Sequence, residues 1–335
     1  MKTILVPTDH SAEARNAFIY ALEMAIHTKA QIVLFHAFHQ QIPLSESLNL
    51  DEYIAHLEER KTREQEQYAH HMQAELSRDF AFQFHTPAEL TTDILSNYSL
   101  TPSGFHYLEA LPHAEAIANL PIKCVAIFGD PSQKILEAIH AYSADIVVMG
   151  MRGARAMGRA LLGSVVTEVM LRATIPVLAI PLCGRYTGLA TIAYAIDLRT
   201  LPDPQHLAFL QTFAQQFGAT LKLLHLYNED KTQELERIQE SLHQLDKGLP
   251  EVGFTIYFKA TSNVLESIEQ FTKDQQADVL IVAPHKHSYL DIILKKSITG
   301  TLSAHTTLPL LTLPAPQPAY AKDIVSSFPE TQESF

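Results

Sequence analysis

The stretch MGMRGARAMGRALLGSVVTEV, residues 149–169, decides the fold class. It continues the apolar run DIVVM, which is typical of a buried strand, passes through a glycine-rich loop and enters a helix near Ser164. Its small residues are spaced as Gly150-x2-Gly153-x9-Gly163-Ser164. Glycines let backbone N–H groups approach a bulky anion, and a helix N-terminus is a natural seat for phosphate. The stretch therefore predicts a strand, a phosphate-binding loop and a helix.

Two known phosphate-binding patterns do not fit this loop. It is not a Walker A loop, because no Gly-Lys-Ser/Thr occurs, and its glycines follow the fourth strand rather than the first, unlike the dinucleotide-binding G-x-G-x-x-G. One or more of its arginines can meet phosphate charge: Arg152, Arg155 and Arg159. Ser164 either caps the helix or contacts a phosphate. A plain glycine-rich linker is the alternative interpretation.

Outside this loop, strands and helices alternate, and their order occurs twice. The first copy has apolar runs at Thr3–Val6, Gln31–Phe38, Ile122–Phe128, Asp145–Met149 and Pro176–Ile180. The second copy has matching runs at 191–196, Leu221–Tyr227, Phe254–Phe258, Asp278–Val282 and Thr307–Leu311. Such alternation predicts an α/β protein with parallel sheets that carry helices on both faces. Ser11, Asp203 with Pro204, and Asn263 are the expected helix caps.

The first copy is longer because of an insertion at about residues 40–121. Its apolar spacing predicts a long amphipathic helix, carried by Tyr53, Ile54, Leu57, Glu64, Tyr68, Met72 and Leu76. The segment FAFQFH, Phe80–His85, alternates aromatic and other residues, which predicts a short strand. We expect one domain at 1–184, a second at 190–314 and a mobile tail at 315–335.

Composition excludes several classes of protein. With 25 basic and 37 acidic residues, the net charge of −12 disfavours binding to nucleic acid. No run of 18 apolar residues occurs, and the N-terminus turns polar at Thr8–His10, so we expect no membrane span, no signal peptide and a cytoplasmic location. Cys124 and Cys183 do not support a disulfide framework.

The ends of the first two strands supply further candidate residues. In a sheet of order 3-2-1-4-5, strands one and four are neighbours where the order reverses, so Asp9 and Gly150 face one crevice. A carboxylate there accepts hydrogen bonds from a ribose or holds a divalent cation, or it simply caps the following helix. The second strand ends at His36 and Ala37, where an adenine base can contact the backbone.

Together these motifs resemble the universal stress protein family in its tandem two-domain form. The resemblance is carried by Ile4–Asp9, His36–Ala37, Gly129-Asp130-Pro131 and the glycine pattern, and it spans nearly the whole chain except about 40–121 and the tail. It implies two Rossmann-like domains similar to the adenine nucleotide α-hydrolases, each with a five-stranded sheet, and ATP binding by the first. It further implies that adenine and ribose are held by Pro7, Thr8, Asp9 and Ala37. Phosphates and their surroundings would be held by Met149, Gly150, Arg152, Gly153, Gly163, Ser164 and Val165. Asp9 would also be the contact for nucleotide-bound Mg²⁺.

The second copy departs from this pattern. Ala283, Lys286 and Lys296 replace the three glycines, Pro284 removes a backbone donor, and Asp197 stands opposite Asp9. We therefore predict that ATP does not bind the second domain in the same pose. Its basic loop either binds another anion or is simply solvated, with His285, Lys286, Lys295 and Lys296. The histidine pairs His70–His71 and His285/His287 lack the partners of a metal site and are expected at the surface.

The expected function is that of an ATP-binding regulatory protein of the stress response, in which nucleotide biases conformation or the choice of an unidentified protein partner. A slow ATPase or autophosphorylating protein is the enzymatic alternative, although the sequence nominates no general base. A scaffold that binds its partner through the insertion, without a ligand, is the third. We expect the two domains to pair through the edge strands PVLAI and LPLLTL as an intramolecular pseudo-dimer, and two chains can form a homodimer.

Overall fold

The structure, a computed structural model, describes residues 1–42, 49–83, 115–152, 162–227, 235–284, 289 and 308–315. Its first half contains the strands β1 (Thr3–Pro7), β2 (Gln31–Phe38), β3 (Ile122–Phe128), β4 (Ile146–Gly150) and β5 (Val177–Ile180). This half also contains the helices α1 (Ala12–Thr28), α2 (Leu50–Gln83), α3 (Pro131–Ala141) and α4 (Ser164–Arg172).

The second half repeats this arrangement. Its strands are β6 (Thr191–Ala195), β7 (Thr220–Tyr227), β8 (Phe254–Ala260), β9 (Val279–Val282) and β10 (Leu310–Thr312). Its helices are α5 (Pro204–Phe217), α6 (Leu235–Gly248) and α7 (Val264–Asp274). Sequence analysis left α6 unassigned, whereas the other elements of this half lie at the expected places.

The ten strands of the described residues form one continuous sheet of order β3-β2-β1-β4-β5-β10-β9-β6-β7-β8. Each half is a parallel five-stranded sheet in which the first strand lies between the second and the fourth, so the predicted fold class is confirmed. The halves meet where β5 and β10 pair antiparallel, with Leu178 opposite Leu311. This pairing closes the two exposed strand edges against each other, as expected for an intramolecular pseudo-dimer.

Helices cover both faces of the sheet, and each layer runs through both halves. One core contains α1 and α5 residues such as Phe18 and Leu210, together with Met72 of α2 and Leu245 of α6. The opposite core contains buried residues of α3, α4 and α7, such as Ile139, Val169 and Ile268. The inner strands β1, β4 and β5 are fully buried, because a parallel sheet covered on both faces needs apolar side chains on both. The outer strands β3 and β8 are mostly half-buried.

Local signals position the helices as expected. The Ser11 hydroxyl accepts a hydrogen bond of 3.1 Å from the Ala14 N–H and caps α1. Asp203 caps α5 ahead of Pro204, and Gly218 ends that helix in the left-handed region. Asn263 occupies the cap position of α7 without a side-chain hydrogen bond to the helix backbone. Cys124 and Cys183 are both free thiols.

Helix α2 lies along the exposed edge of β3 and takes the place of a neighbouring strand. The Phe128 N–H donates to Glu58 Oε1 at 2.8 Å, and the Ala126 N–H donates to Thr62 Oγ1 at 3.0 Å. Four helical residues rise about 6 Å and two strand residues about 6.6 Å, so side chains one turn apart match alternate N–H groups of the strand. The insertion therefore protects this sheet edge.

The predicted strand at Phe80–His85 is wrong as far as Gln83, because α2 continues to that residue. The alternation covers few residues, no helix breaker separates it from the preceding helix, and adding a residue to an existing helix is easier than starting a strand. Residues 84–85 and 86–114, the loop residues 153–161 and the tail 316–335 lie outside the described residues. The domain limits stay predictions. Among the described helices, none is long and apolar enough to cross a membrane.

Candidate functional site

The candidate site lies at the carboxyl ends of β1 and β4, where the strand order of the first half reverses. The two strands pair with Leu5 opposite Val147, so Asp9 and Gly150 come to the same edge of the sheet, as predicted. Pro7 and Thr8 are buried, and Met149 is 5% exposed, so these three form the floor of the site rather than its rim. In an open α/β sheet this reversal point is the usual ligand-binding position.

The turn after β1 is held by three successive side-chain hydrogen bonds. His10 N–H donates to Thr8 Oγ1 at 3.1 Å, Ser11 N–H donates to Asp9 Oδ1 at 3.1 Å, and the Ser11 cap follows. His10 has a φ of 62°, in the left-handed region. Asp9 therefore fixes the entry of the chain into α1 without capping that helix, and its side chain remains at the exposed rim of the site.

Gly150 is required for a reason that its sequence pattern did not reveal. A Cβ added there would lie 2.7 Å from the carbonyl carbon of Glu13 and 2.8 Å from its oxygen. It would also lie 3.0 Å from the Ala14 backbone nitrogen. These atoms belong to the first turn of α1, which packs directly over the end of β4. The glycine thus brings the start of α1, and with it the Asp9 turn, close to the glycine-rich loop.

The glycine-rich loop is closed at its base. Gly163 N–H donates to the Met151 carbonyl at 2.8 Å, and Met151 N–H donates to the Ile180 carbonyl at 2.9 Å. The chain therefore leaves β4 and returns to it before α4 begins. Arg152 lies at the start of the loop, at an intermediate level of exposure. Gly153, Arg155 and Arg159 fall outside the described residues, so their predicted roles are not located.

Gly163, not Ser164, is the cap residue of α4. It has φ −72° and ψ 162°, and with no side chain it makes no cap hydrogen bond. Ser164 is instead the first helical residue, so its predicted alternative role as the cap is wrong. The first-turn N–H groups, including those of Ser164 and Val165, are thus left to an acceptor from outside the helix. This end of α4 is suited to an anion.

Ala37 presents its backbone to the same site. In a parallel strand, the N–H and C=O of alternate residues point to the same neighbour. Thr8 N–H donates to the Phe35 carbonyl at 2.8 Å, so Ala37, two residues on, points past the end of β1. His36 Nδ1 lies 2.8 Å from the Thr8 carbonyl and ties the two strand ends together. Among the described residues, no side chain is hydrogen-bonded to the backbone of Ala37.

The insertion contributes residues to this region that sequence analysis did not nominate. The His10 ring lies between His36 and Tyr68, at centroid distances of 5.0 Å and 4.7 Å. Burial lowers the pKa of His10, and the charges of His36 and of Lys61 lower it further against the opposing effect of Asp9 and Glu64. Neutral histidine is therefore favoured. The amphipathic pattern that includes Tyr68 predicts a helix, but it does not predict that Tyr68 lies beside the turn after β1.

The Gly129-Asp130-Pro131 motif follows β3 and positions α3 and α4. Asp130 Oδ1 accepts the Gln133 N–H at 3.0 Å and caps α3, and Pro131 is its first residue. The Ser132 hydroxyl lies 2.7 Å from both Asp130 Oδ1 and Glu168 Oε2, which links α3 to α4. The hydrogen bond from the Gln133 N–H, followed by that from Ser132, holds the pKa of Asp130 below its usual range.

Within the part of the chain that the structure describes, no group of three or more histidine, cysteine, aspartate or glutamate side chains is arranged to hold a metal ion. Asp9 is the carboxylate placed at the rim, so a cation there would need ligands from a bound phosphate. Oxygen-rich coordination of this kind suits Mg²⁺, which usually keeps phosphate and water ligands. The magnesium contact at Asp9 stays a prediction.

A doubly wound parallel sheet with donors gathered at its reversal point is the architecture of nucleotide-binding α/β proteins. A family model, the Universal stress protein family, matches residues 1–181, more than half of the chain. The chain therefore belongs to the universal stress protein family, and the strand order of the matched part is repeated in the second half.

Two solved structures have a similar fold. The chain is 13% identical to a universal stress protein from Archaeoglobus fulgidus DSM 4304, over 93% of this chain and 96% of that chain, with a TM-score of 0.53. It is also 13% identical to a putative universal stress protein from Pseudomonas aeruginosa UCBPP-PA14, over 94% and 93% of the two chains, with a TM-score of 0.50. No curated protein matches.

Proposed function

We propose that the first half binds an adenine nucleotide, ATP in particular, and that the protein uses it as a regulatory ligand in the stress response. The supporting observation is the convergence of three kinds of group at one strand-order reversal. These are the outward-facing backbone of Ala37, the Asp9 carboxylate at the rim, and the uncapped first turn of α4 behind Gly163. A base, a ribose and a phosphate chain need these three chemistries.

Each part of the nucleotide would have its own partner. The N–H and C=O of Ala37 match the acceptor and donor on the Watson–Crick edge of adenine, over a floor of Pro7 and Thr8. Asp9 would accept ribose hydroxyls and contact nucleotide-bound Mg²⁺. The phosphates would be held by the N–H groups of Ser164 and Val165, with Gly150, Gly153 and Arg152 around them. The cytoplasmic location, the protein partner and a homodimer remain predictions.

Gly163→Asp tests the phosphate position without weakening the fold. Gly163 already has the extended conformation that an aspartate cap prefers, so the new carboxylate would cap α4 and raise stability by a few tenths of a kcal/mol, roughly. The same carboxylate would occupy the proposed phosphate-binding position at the start of α4 and repel the negatively charged phosphates. Isothermal titration calorimetry should give one ATP per chain for the wild type and a large loss of affinity for the variant, with an unchanged or raised melting temperature.

Gly253→Asp is the matched control. Gly253 is exposed, and a Cβ added there meets no atom within 4 Å. It directly precedes β8, which is the sixth strand from β4 in the sheet, so the same change of charge falls far from the site. Equal ATP affinity of Gly163→Asp and Gly253→Asp would contradict the proposal. Mass spectrometry of nucleotide released by denaturation separates a ligand from a substrate, because a regulatory ligand is recovered as intact ATP. Phosphate release above that of Asp9→Ala would favour the slow ATPase instead.

A further inference from the structure

The strand ends of the second half are arranged like those of the first. Ile196 N–H donates to the Leu224 carbonyl at 3.0 Å, as Thr8 does to Phe35. His225 Nδ1 lies 3.3 Å from the Ile196 carbonyl, as His36 Nδ1 lies 2.8 Å from that of Thr8. The two turns differ in one bond, because His225 Nδ1 accepts the Leu198 N–H at 3.2 Å, whereas the His10 N–H donates to Thr8 Oγ1. Leu226 therefore stands where Ala37 stands, and its backbone points past the end of β6.

In the second half, the backbone N–H and C=O of Leu226 are already hydrogen-bonded to a side chain of the same protein. The Leu226 N–H donates to the Tyr289 hydroxyl at 3.2 Å, and the same hydroxyl donates to the Leu226 carbonyl at 3.4 Å. A phenol both accepts and donates through one atom, so it satisfies an N–H and a C=O together. Tyr289 is 9% exposed, and its ring belongs to the core on that face of the sheet.

The carboxylate of the second half is bonded internally as well. Arg199 Nε and Nη2 donate to the two oxygens of Asp197 at 2.7 Å and 2.6 Å, and the Arg199 N–H adds a third bond at 3.0 Å. Burial opposes ionisation of Asp197, but the hydrogen bonds and charge of Arg199 outweigh it and lower the pKa of the carboxyl. Burial raises the pKa of Tyr289 to about 12, so its hydroxyl keeps its proton.

We propose that the second half contains a concealed site for a planar heteroaromatic base such as adenine, that Tyr289 fills this site as an internal substitute for the base, and that Tyr289 is the residue that keeps adenine out. This inference rests on the proposed function for the choice of base. The sequence gives a matching signal, because Tyr289 lies in the segment that replaces the glycine-rich loop of the first copy.

Binding of free adenine tests the inference in the full-length protein. Tyr289→Ala removes the phenol and leaves the Leu226 N–H and C=O for the base. Tyr227→Ala is the matched control, because Tyr227 lies next to Leu226 but is 41% exposed, and its loss opens no cavity. Saturation-transfer NMR with adenine is recorded in the presence of excess ATP, which occupies the first half. We expect adenine binding in Tyr289→Ala and none in the wild type or in Tyr227→Ala.

The outcomes separate this inference from the proposed function. Equal adenine signals in Tyr289→Ala and Tyr227→Ala would overturn it. If ATP does not bind the wild type while Tyr289→Ala still gains adenine binding over both other proteins, the proposed function fails and the inference stands.

Tyr289→Phe provides a second test if Tyr289→Ala does not fold. It keeps the ring and removes the hydroxyl, so amide exchange of Leu226 should become about tenfold faster, the effect of losing one hydrogen bond. Unchanged exchange of that amide would contradict the assignment of the hydroxyl as its partner.

Discussion

Gly150→Ala should destabilise the protein, because the added Cβ would collide with the backbone at the start of α1. The added Cβ would lie 2.7 Å and 2.8 Å from the backbone carbon and oxygen of Glu13, well inside the 3.4 Å at which ordinary van der Waals contact begins. Neither atom belongs to a flexible side chain, so the start of α1 has to move. Overpacking of this kind costs about 1–3 kcal/mol, and we expect the upper part of that range because backbone atoms have to shift.

Urea unfolding followed by circular dichroism measures this cost. Gly253→Ala is the control, because a Cβ there meets no atom within 4 Å, and a glycine replaced at an open position changes stability by only about 0.4–1 kcal/mol, in the stabilising direction. The movement of α1 also displaces the Asp9 turn, so ATP affinity should fall with stability. A Gly150→Ala protein as stable as Gly253→Ala would refute the close packing of α1 on β4.

Three further changes test the insertion helix and the turn beside it. Gln65→Met should raise the free energy of unfolding by about 1 kcal/mol. Gln65 is 1% exposed, and neither of its amide atoms has a hydrogen-bond partner among the described residues, so its burial is costly. An unchanged urea midpoint would contradict this prediction. Glu58→Ala should lower the free energy of unfolding by about 1–2 kcal/mol, because it leaves the Phe128 N–H unpaired. The neighbouring Glu59→Ala is the control, since it removes only an exposed ion pair within the helix. Equal urea midpoints of the two variants would count against the contact between α2 and the edge of β3. Because the pKa of His10 is lowered in the folded protein, the unfolded chain takes up a proton first as the pH falls below about 6.5. The wild type should therefore lose more stability than His10→Asn between about pH 7 and pH 5. Parallel pH profiles of the free energy of unfolding would show that His10 is not responsible. Asparagine is chosen because it tolerates the left-handed backbone of residue 10.

The sequence predicts the order of strands and helices because apolar runs and caps are local signals. Ser11, Asp203 and Pro204 act at the helix starts where propensity places them. The residues at 80–83 show the limit of such reasoning, since four alternating residues are too few to override a preceding long helix. Helix propagation decides the structure there, and it depends on residues outside the window that suggested a strand.

The candidate site is less predictable because its residues act across the chain. The glycine pattern indicates that Gly150 matters, yet its closest contact is Glu13 in another element, which no spacing within the loop reveals. Tyr68 and Tyr289 have ordinary apolar positions in the sequence, and their partners are His10, in the turn after β1, and Leu226 on β7. A hydrogen bond between residues far apart in sequence depends on strand order, so it becomes visible only once the sheet is assembled.

The two halves show two solutions to one physical requirement. At the buried end of a strand, some backbone N–H and C=O groups have no neighbouring strand to pair with, and such groups cost free energy unless they are hydrogen-bonded. The second half bonds Leu226 and Asp197 with its own Tyr289 and Arg199. In the first half the corresponding residues are Ala37 and Asp9, and the cap residue of α4, Gly163, makes no side-chain hydrogen bond to that helix. A ligand that binds only the folded protein adds stability by mass action, so ATP should stabilise the chain through its first half alone. Thermal unfolding of Gly163→Asp should accordingly lose its dependence on ATP concentration, while Tyr289→Phe keeps it.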